Sequence, residues 1–495
     1  MTTLLPDWLA RRADLMPDAP ALIADQLRWS FGDLHRAANA AAARLARFEI
    51  EAGQRVGSLM GSNPGFVALL HAMPRVGASC VALNTRLTAN ELIWQIANSR
   101  APLVLYDHGH APTIEQIRPQ LPGVRFELWH PFADRAELEA AADSSRLIDL
   151  EAVQSIIYTS GTTGNPKGAM ITYANHWWSA NASALNLGLL PDDCWLAILP
   201  LFHVGGMSIL MRSVIYAQKV VLLERFDPSA ANRLIDREGV TIVSVVATTL
   251  QRMLEERGDS AYPAHLRCML LGGGPAPRPL LEACAARGLP VVQTYGMTET
   301  ASQAVTLAPA DALRKLGSAG KALLPLELRI DAPPLQAGEI LLRGPMVCAG
   351  YADNPEATAA AIRDGWLHTG DIGRLDEEGY LYLLDRRSDL IISGGENIYP
   401  AELEATLLAH PGVAEAGVVG VADQQWGQVP VAFVVARQPD QAQALLAELP
   451  SFLAERLARY KLPRRYLVAA ELPRTASGKL RRNLLRRQLE EGTSE

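Results

Sequence analysis

Cysteine is scarce in this chain, and none of it is paired. Five cysteines stand in 495 residues, at Cys80, Cys194, Cys268, Cys284 and Cys348. With no C-x-x-C pair among them, they offer neither a zinc site nor a disulfide framework, and buried thiols in a reducing compartment are expected. Long apolar runs are also missing. The longest uncharged stretches, Val56 to Pro74 and Trp195 to Met211, are interrupted by Asn63-Pro64-Gly65 and Gly205-Gly206, which suits strand, turn and helix pieces better than a membrane span. Residues 1–20 carry charge throughout and lack an apolar core, so no secretory signal is visible and a cytoplasmic protein without a stable membrane anchor is expected. No lysine and arginine stripe long enough to track phosphates precedes the basic tail Arg481 to Arg487, and the net charge is -7. Nucleic acid is therefore not an expected partner, and the tail reads as a solvated helix face.

What is present is an ordinary globular composition, 49% apolar and 20% charged, in a chain too long for one hydrophobic core. Strand-like and helix-like segments alternate. Arg55 to Met60, helical Pro64 to Val76 and Ser79 to Leu83 form one run. Lys219 to Leu223, helical Pro228 to Glu238, Val240 to Val246 and helical Thr249 to Arg257 form another. This predicts an α/β fold with largely parallel sheets. From Gly338 to Leu384 short strands and turns predict a smaller β unit, and a boundary is expected near Asp385 to Asp389. The alanine-rich helix Ala37 to Ala46 reads as helix propensity.

The most informative string is YTSGTTGNPKG, Tyr158 to Gly168. Gly161, Gly164 and Gly168 allow backbone conformations closed to other residues, so successive N–H groups can point at an anion. Thr159, Ser160, Thr162 and Thr163 add hydroxyl donors, and Lys167 adds a mobile positive charge. The apolar run Val153 to Tyr158 reads as a buried strand feeding the loop. This is a phosphate loop but not the Walker type. Pro166 stands where the second glycine of G-x-x-x-x-G-K-[ST] belongs, and Gly168 replaces the hydroxyl after Lys167.

Further strings follow in a fixed order: LPLFHVGG (Leu199 to Gly206), GGGPAP (Gly272 to Pro277), YGMTET (Tyr295 to Thr300), WLHTGD (Trp366 to Asp371), DRRSD (Asp385 to Asp389) and PRTASGK (Pro473 to Lys479). Together with the loop they resemble the acyl-adenylate-forming superfamily of acyl-CoA synthetases, luciferases and peptide-synthetase adenylation domains. The resemblance implies an N-terminal ATP- and acid-binding domain over residues 1–385, made of layered, mostly parallel sheets with a small β-barrel-like subdomain. A hinge at 386–389 and a small mobile α+β C-terminal domain at 390–495 would follow. It also implies roles. His203 would gate the acyl pocket. Gly272, Gly273, Gly274 and Pro275 would pack against adenine and the acyl group, where side chains must be absent for a flat ring to approach.

In the same resemblance Tyr295, beside Gly296, stacks on adenine, Thr298 meets the α-phosphate, and Glu299 holds Mg²⁺, an ion that prefers oxygen ligands shared with substrate phosphates. Asp371 accepts from the ribose hydroxyls and Arg386 supplies a second ribose or phosphate contact. Ser388 takes the hinge position, where many relatives carry Asp or Lys. Lys479 reaches the reacting carboxylate and α-phosphate, and Gly394, Gly395 and Glu396 border a pantetheine channel. Catalysis would then rest on stabilising a crowded anionic transition state with Lys167, Mg²⁺ on Glu299, and Lys479.

Coenzyme A is the expected acceptor, since no carrier domain follows Lys479 and no aspartate near His203 could take an α-ammonium group. Asp192 and Asp193, in LPDDCW, read as an exposed turn. Asn175 to Leu189, Leu270 to Gln303, Lys315 to Lys321 and Asp385 to Glu402 resemble the o-succinylbenzoate–CoA ligase family of menaquinone biosynthesis. Its substrate keeps a second carboxylate, for which the resemblance points to Arg212 and Ser302, with His203 and Gly273 lining the same pocket. A surface salt bridge is the competing reading of Arg212. Two other functions remain open at this level: a general aromatic or medium-chain acyl-CoA ligase, for which an unpaired Arg212 would be a burden, and a catalytically silent nucleotide-binding regulator, against which Lys167, Glu299, Asp371 and Lys479 speak. Homo-oligomerisation is left open.

Overall fold

The computed structural model describes residues 3–129, 143, 146–159, 166–274, 278–311, 314–386, 389–393, 396–398, 400–423, 426–457, 459–475 and 480–491. Its layering follows from alternation along single strands. In Cys194–Ala197, Cys194 and Leu196 face one apolar cluster, whereas Trp195 and Ala197 face another. Each strand can bury both faces only if each face is covered.

That strand lies within a nine-stranded sheet, in the spatial order 321–322, 305–306, 291–295, 268–271, 242–245, 194–197, 219–222, 20–24, 27–30. It is parallel from 20–24 through 291–295 and antiparallel at both edges. A six-stranded sheet runs 167–172, 153–159, 79–82, 55–59, 103–106, 125–128, parallel except for its first pair. Helices Phe31–Ala46, Pro64–Val76 and Val204–Tyr216 fill the core between the sheets. Ala89–Ser99 and Ala111–Ile117 cover the outer face of the smaller sheet, and Pro228–Arg237, Ala247–Arg257 and Arg278–Ala286 that of the larger.

The alanine-rich helix serves packing as well as propensity. Ala37, Ala38, Ala40, Ala41 and Ala42 are all at most 2% exposed, because this helix runs between sheets and only small side chains allow close approach on every side. Helix Pro64–Val76 has the predicted bounds for local reasons. Asn63 caps the Phe66 N–H at 3.0 Å, Pro64 sits at the first turn, and Gly77 ends it at φ 74°.

The turn expected at LPDDCW is only half exposed. Asp192 is exposed, but Asp193 is buried, because the turn folds onto the start of two parallel strands. Its carboxylate accepts from Arg267 Nε at 2.7 Å and Nη2 at 2.6 Å, from Thr241 Oγ1 at 2.8 Å and from the Leu190 N–H at 2.8 Å. Burial opposes its charge, yet these bonds, led by Arg267, hold the carboxyl below the usual range. Replacing Arg267 strands that charge. Arg267→Met is expected to lower stability by about 3 kcal/mol in denaturant unfolding at neutral pH; a loss below about 1 kcal/mol would show that the remaining donors suffice.

The smaller β unit begins at Glu327, earlier than the sequence texture predicts. Strands 327–331, 338–343, 366–375 and 362–363 form an antiparallel sheet, with 381–386 paired to 366–375. Its Ile340, Leu342, Leu367 and Leu381 share a cluster with Tyr295, Val305 and Leu323. The chain leaves this sheet at Arg386 and enters a separate one at Ile391, around the expected boundary. That last sheet orders 396–398, 391–393, 427–436, 413–423, with 465–468 parallel to 427–436. Helices Pro400–Leu408 and Ala442–Ala454 pack against one face, and Arg482–Glu491 against the other.

Among the described residues no helix is long and apolar enough to cross a membrane. All the cysteines are free and buried. Burial pushes the thiols of Cys80, Cys194 and Cys268 up to about 12, so they are poor nucleophiles.

Candidate active site

The expected strand before the phosphate-loop string is present as Val153–Thr159, and the string's last residues begin the antiparallel strand Lys167–Thr172. Thr159 ends one strand and Lys167 begins its antiparallel neighbour, with Lys167 opposite Thr159 and Gly168 opposite Tyr158. Thr159 Oγ1 donates to the Lys167 carbonyl at 3.4 Å. Ser160, Gly161, Thr162, Thr163 and Gly164 lie outside the described residues. Gly168 is glycine for a different reason from the one expected. Its φ is not positive, but an added Cβ would stand 2.8 Å from Ile156 Cγ2 and 3.2 Å from the Tyr158 ring.

Tyr351 bridges Lys167 and Glu299. The Lys167 ammonium lies 5.3 Å from the centre of the Tyr351 ring, and the Tyr351 hydroxyl donates to Glu299 Oε1 at 2.8 Å. Glu299 is buried in the short 3-10 turn Thr298–Thr300. Burial, and then the Glu299 carboxylate, push the Tyr351 phenol well up, so it remains a donor.

The YGMTETAS segment folds back on itself. A Cβ on Gly296 would stand 1.7 Å from the Ser302 carbonyl oxygen, and Ala301 and Ser302 take φ values of 50° and 101°. Two successive non-glycine residues in the left-handed region store strain that neighbours must hold. Ser179 supplies part of that hold, donating to the Ala301 carbonyl at 2.8 Å. Tyr295 ends strand Val291–Tyr295, and its hydroxyl donates to Asp371 Oδ2 at 2.8 Å, both residues being 7% exposed. Asp371 in turn stands opposite Arg386 across the strand pair. Gly272 and Gly273 follow strand Cys268–Leu271. Gly273 has φ +82°, and a Cβ there would meet Val246 Cγ1 at 2.9 Å; on Gly272 it would meet Thr294 at 3.0 Å. Gly274 faces open space, and Pro275 lies outside the described residues.

His203 precedes helix Val204–Tyr216, its ring 4.6 Å from that of Phe202. Gly206 lets that helix start against the preceding loop, since a Cβ would stand 2.4 Å from the Pro200 carbonyl. Two turns on, Arg212 is 2% exposed, which excludes the surface salt bridge. Its Nη2 donates to Ser179 Oγ at 3.3 Å and its guanidinium lies 5.5 Å from the Trp195 ring centre. Among the described residues it has no carboxylate partner, and its Nε has no hydrogen-bond partner. Burial lowers its pKa. Nearby His176 is pushed down to about 3, by burial and then by the Arg212 charge, and is neutral at physiological pH.

The sequence profile of AMP-binding enzymes matches residues 9–352, and that of the AMP-binding enzyme C-terminal domain matches residues 402–479. The chain belongs to the AMP-binding enzyme family. It is 52% identical to a 2-succinylbenzoate–CoA ligase of Geobacillus kaustophilus, over 98% of each chain. The o-succinylbenzoate CoA synthetase of Bacillus subtilis, solved with its acyl-adenylate intermediate, superposes with a TM-score of 0.90 at 45% identity, over 98% of each chain. The same enzyme with ATP and magnesium gives 0.89 at 44% identity, covering 98% of this chain and 100% of that one.

In this member of the AMP-binding family two sets of residues expected at the site are connected: Lys167 and Glu299 indirectly, through Tyr351, and Tyr295 and Asp371 by a hydrogen bond. A third connection runs from Arg212 through Ser179 to Ala301, next to Ser302. Lys479, Ser388, Gly394 and Gly395 lie outside the described residues, and of Arg386 and Glu396 only the strand positions are described. Sequence reading missed Tyr351, Ser179 and Trp195. Gly350-Tyr351 was the available signal for the first, a glycine at φ 120° beside an aromatic; the other two looked like ordinary helix and strand residues.

Proposed function

We propose that this protein is an AMP-forming acid–thiol ligase that joins 2-succinylbenzoate to coenzyme A through an acyl-adenylate, the reaction of menaquinone biosynthesis implied by its sequence resemblance. The observation that carries the choice of acid is Arg212. A buried guanidinium without an anion is costly, and a dicarboxylic acid repays that cost: one carboxylate is activated while the other pairs with Arg212. Ser302, beside the strained turn, adds a hydroxyl to the same pocket, and His203 borders it at the helix start.

The nucleotide fits the residues present. Gly272 and Gly273 bring their backbone close to Thr294 and Val246, Gly274 faces open space where a flat base could approach, and Asp371, oriented by Tyr295, accepts from the ribose. Glu299, buried and held by the Tyr351 hydroxyl, is the carboxylate that would hold Mg²⁺, an oxygen-seeking ion whose charge would offset that of the phosphates. Thr298 and Lys167 meet the phosphates. The acid's carboxylate attacks the α-phosphorus, pyrophosphate leaves, and the thiol of coenzyme A then displaces AMP from the acyl-adenylate.

The two steps need different partners, so we assign residues 386–389 as a hinge about Ser388 between units 1–385 and 390–495, with Gly394, Gly395 and Glu396 bordering the thiol's approach. The profile boundaries at 352 and 402 and the change of sheet between Arg386 and Ile391 support that division. A cytoplasmic location is consistent with small soluble substrates.

An acid panel tests the assignment. With ATP, Mg²⁺ and coenzyme A, 2-succinylbenzoate is expected to form thioester with a kcat/KM about 10²-fold or more above benzoate or octanoate, the scale of one buried ion pair. Equal turnover of all three acids would overturn it.

A further inference from the structure

Tyr351 is held more firmly than a surface loop residue needs to be. The segment around it is laced to strand Lys167–Thr172: the Met170 N–H donates to the Gly350 carbonyl at 2.9 Å, and the Ala349 and Ala352 N–H groups donate to the Met170 and Gly168 carbonyls at 3.0 and 2.8 Å. The Tyr351 N–H donates to Thr358 Oγ1 at 2.9 Å. Gly350 admits this path at φ +120°, where an added Cβ would stand 2.5 Å from Thr358 Cγ2. On the other side the Cys348 N–H donates to the Glu299 carbonyl at 2.8 Å, tying the same segment to the turn that carries the carboxylate. The backbone therefore fixes where the Tyr351 ring stands, between Lys167 and Glu299.

We propose that Tyr351 is a positioning residue for both charges that meet the ATP phosphates: its hydroxyl holds one oxygen of Glu299 and leaves the other for Mg²⁺, while its ring seats the Lys167 ammonium. A lone buried carboxylate can rotate and must be reoriented when the ion arrives; one held by a fixed phenol is presented in a single orientation. Hydrogen-bond partners behind a ligand act in this way on metal affinity, and an ammonium over an aromatic face is attracted to it. The inference rests on Glu299 being the magnesium carboxylate.

The test is metal binding without turnover. Mn²⁺, as a probe for Mg²⁺, is titrated into the full chain holding a non-hydrolysable ATP analogue and no acid, and bound metal is read by electron paramagnetic resonance. Tyr351→Phe keeps the ring and its packing. It is expected to weaken Mn²⁺ binding about tenfold, to leave analogue affinity in EDTA unchanged, and to raise the Mg²⁺ concentration needed for ATP–pyrophosphate exchange by a similar factor, with the rate restored at saturating Mg²⁺. Tyr351→Leu removes the ring as well, so analogue affinity in EDTA is expected to fall too; if it does not, the seat for Lys167 is refuted. Mn²⁺ affinity within twofold of the unmodified protein in Tyr351→Phe overturns the positioning of Glu299. Glu299→Gln separates the two ideas. If it loses the metal and Tyr351→Phe does not, only the inference about Tyr351 fails; if it too keeps the metal, the reading of Glu299 fails instead.

Discussion

Arg212→Met is expected to yield a protein that binds ATP as before but no longer prefers 2-succinylbenzoate over benzoate. Losing one partner of a buried, hydrogen-bonded ion pair costs about 2 to 5 kcal/mol, so kcat/KM for the dicarboxylic acid should fall by about 30-fold to several thousandfold while that for benzoate changes little. Methionine fills much of the arginine's volume and brings no charge. Without substrate, Arg212 is buried and lacks a carboxylate partner among the described residues, so its removal relieves a desolvation cost, and the apo protein should be as stable as the original or more stable. That opposition, weaker selectivity with undiminished thermal stability, is what a binding residue gives and a packing residue does not. Unchanged selectivity by the acid panel, or a large loss of apo stability in a thermal melt, would each contradict the assignment.

Sequence pattern carried the layers because each strand's alternation and each helix's caps are local. Pro64–Val76 could be bounded from Asn63, Pro64 and Gly77 alone. Motif order likewise singled out Lys167 and Glu299, which Tyr351 joins, and Tyr295 and Asp371, which share a hydrogen bond. What could not be read depends on which segments meet. Asp193 and Arg212 are charged residues, and the prior for charge is exposure; only the packing of Thr241 and Arg267 around one, and of Trp195 and Ser179 around the other, shows that both are buried. Gly168 seemed to need conformational freedom, whereas the across-strand Tyr158 ring is what excludes a side chain. The left-handed backbone at Ala301 and Ser302 has no sequence signal, since neither residue favours it. Tyr351 belongs to none of the recognised strings, and its role depends on a strand pairing between residues far apart in sequence.

Lys479→Ala is expected to divide the two half-reactions. The described residues on either side of this lysine are tied together: Arg474 forms a bridge with Leu480, the Arg481 N–H donates to the Pro473 carbonyl at 2.8 Å, and Arg474 pairs with Glu415 at 2.6 Å. Just beyond it, Arg482 pairs with Glu404 at 2.6 Å and with Asp389 at 3.1 Å. Asp389 adjoins the assigned hinge residue Ser388. The residue just beyond the lysine's segment is thus paired to the neighbour of the proposed hinge, and on that proposal the hinge angle would set whether the ammonium reaches the α-phosphate. If it supplies charge only while the carboxylate attacks phosphorus, its loss should slow acid-dependent ATP–pyrophosphate exchange by about 10²- to 10³-fold, as losing one preorganised charge does. Thioester formation from supplied 2-succinylbenzoyl-adenylate and coenzyme A should stay within about threefold, because no pyrophosphate leaves in that step and the proposed hinge rotation would withdraw Lys479. Equal slowing of both half-reactions would place Lys479 at the site throughout and remove the need for a hinge to explain its position.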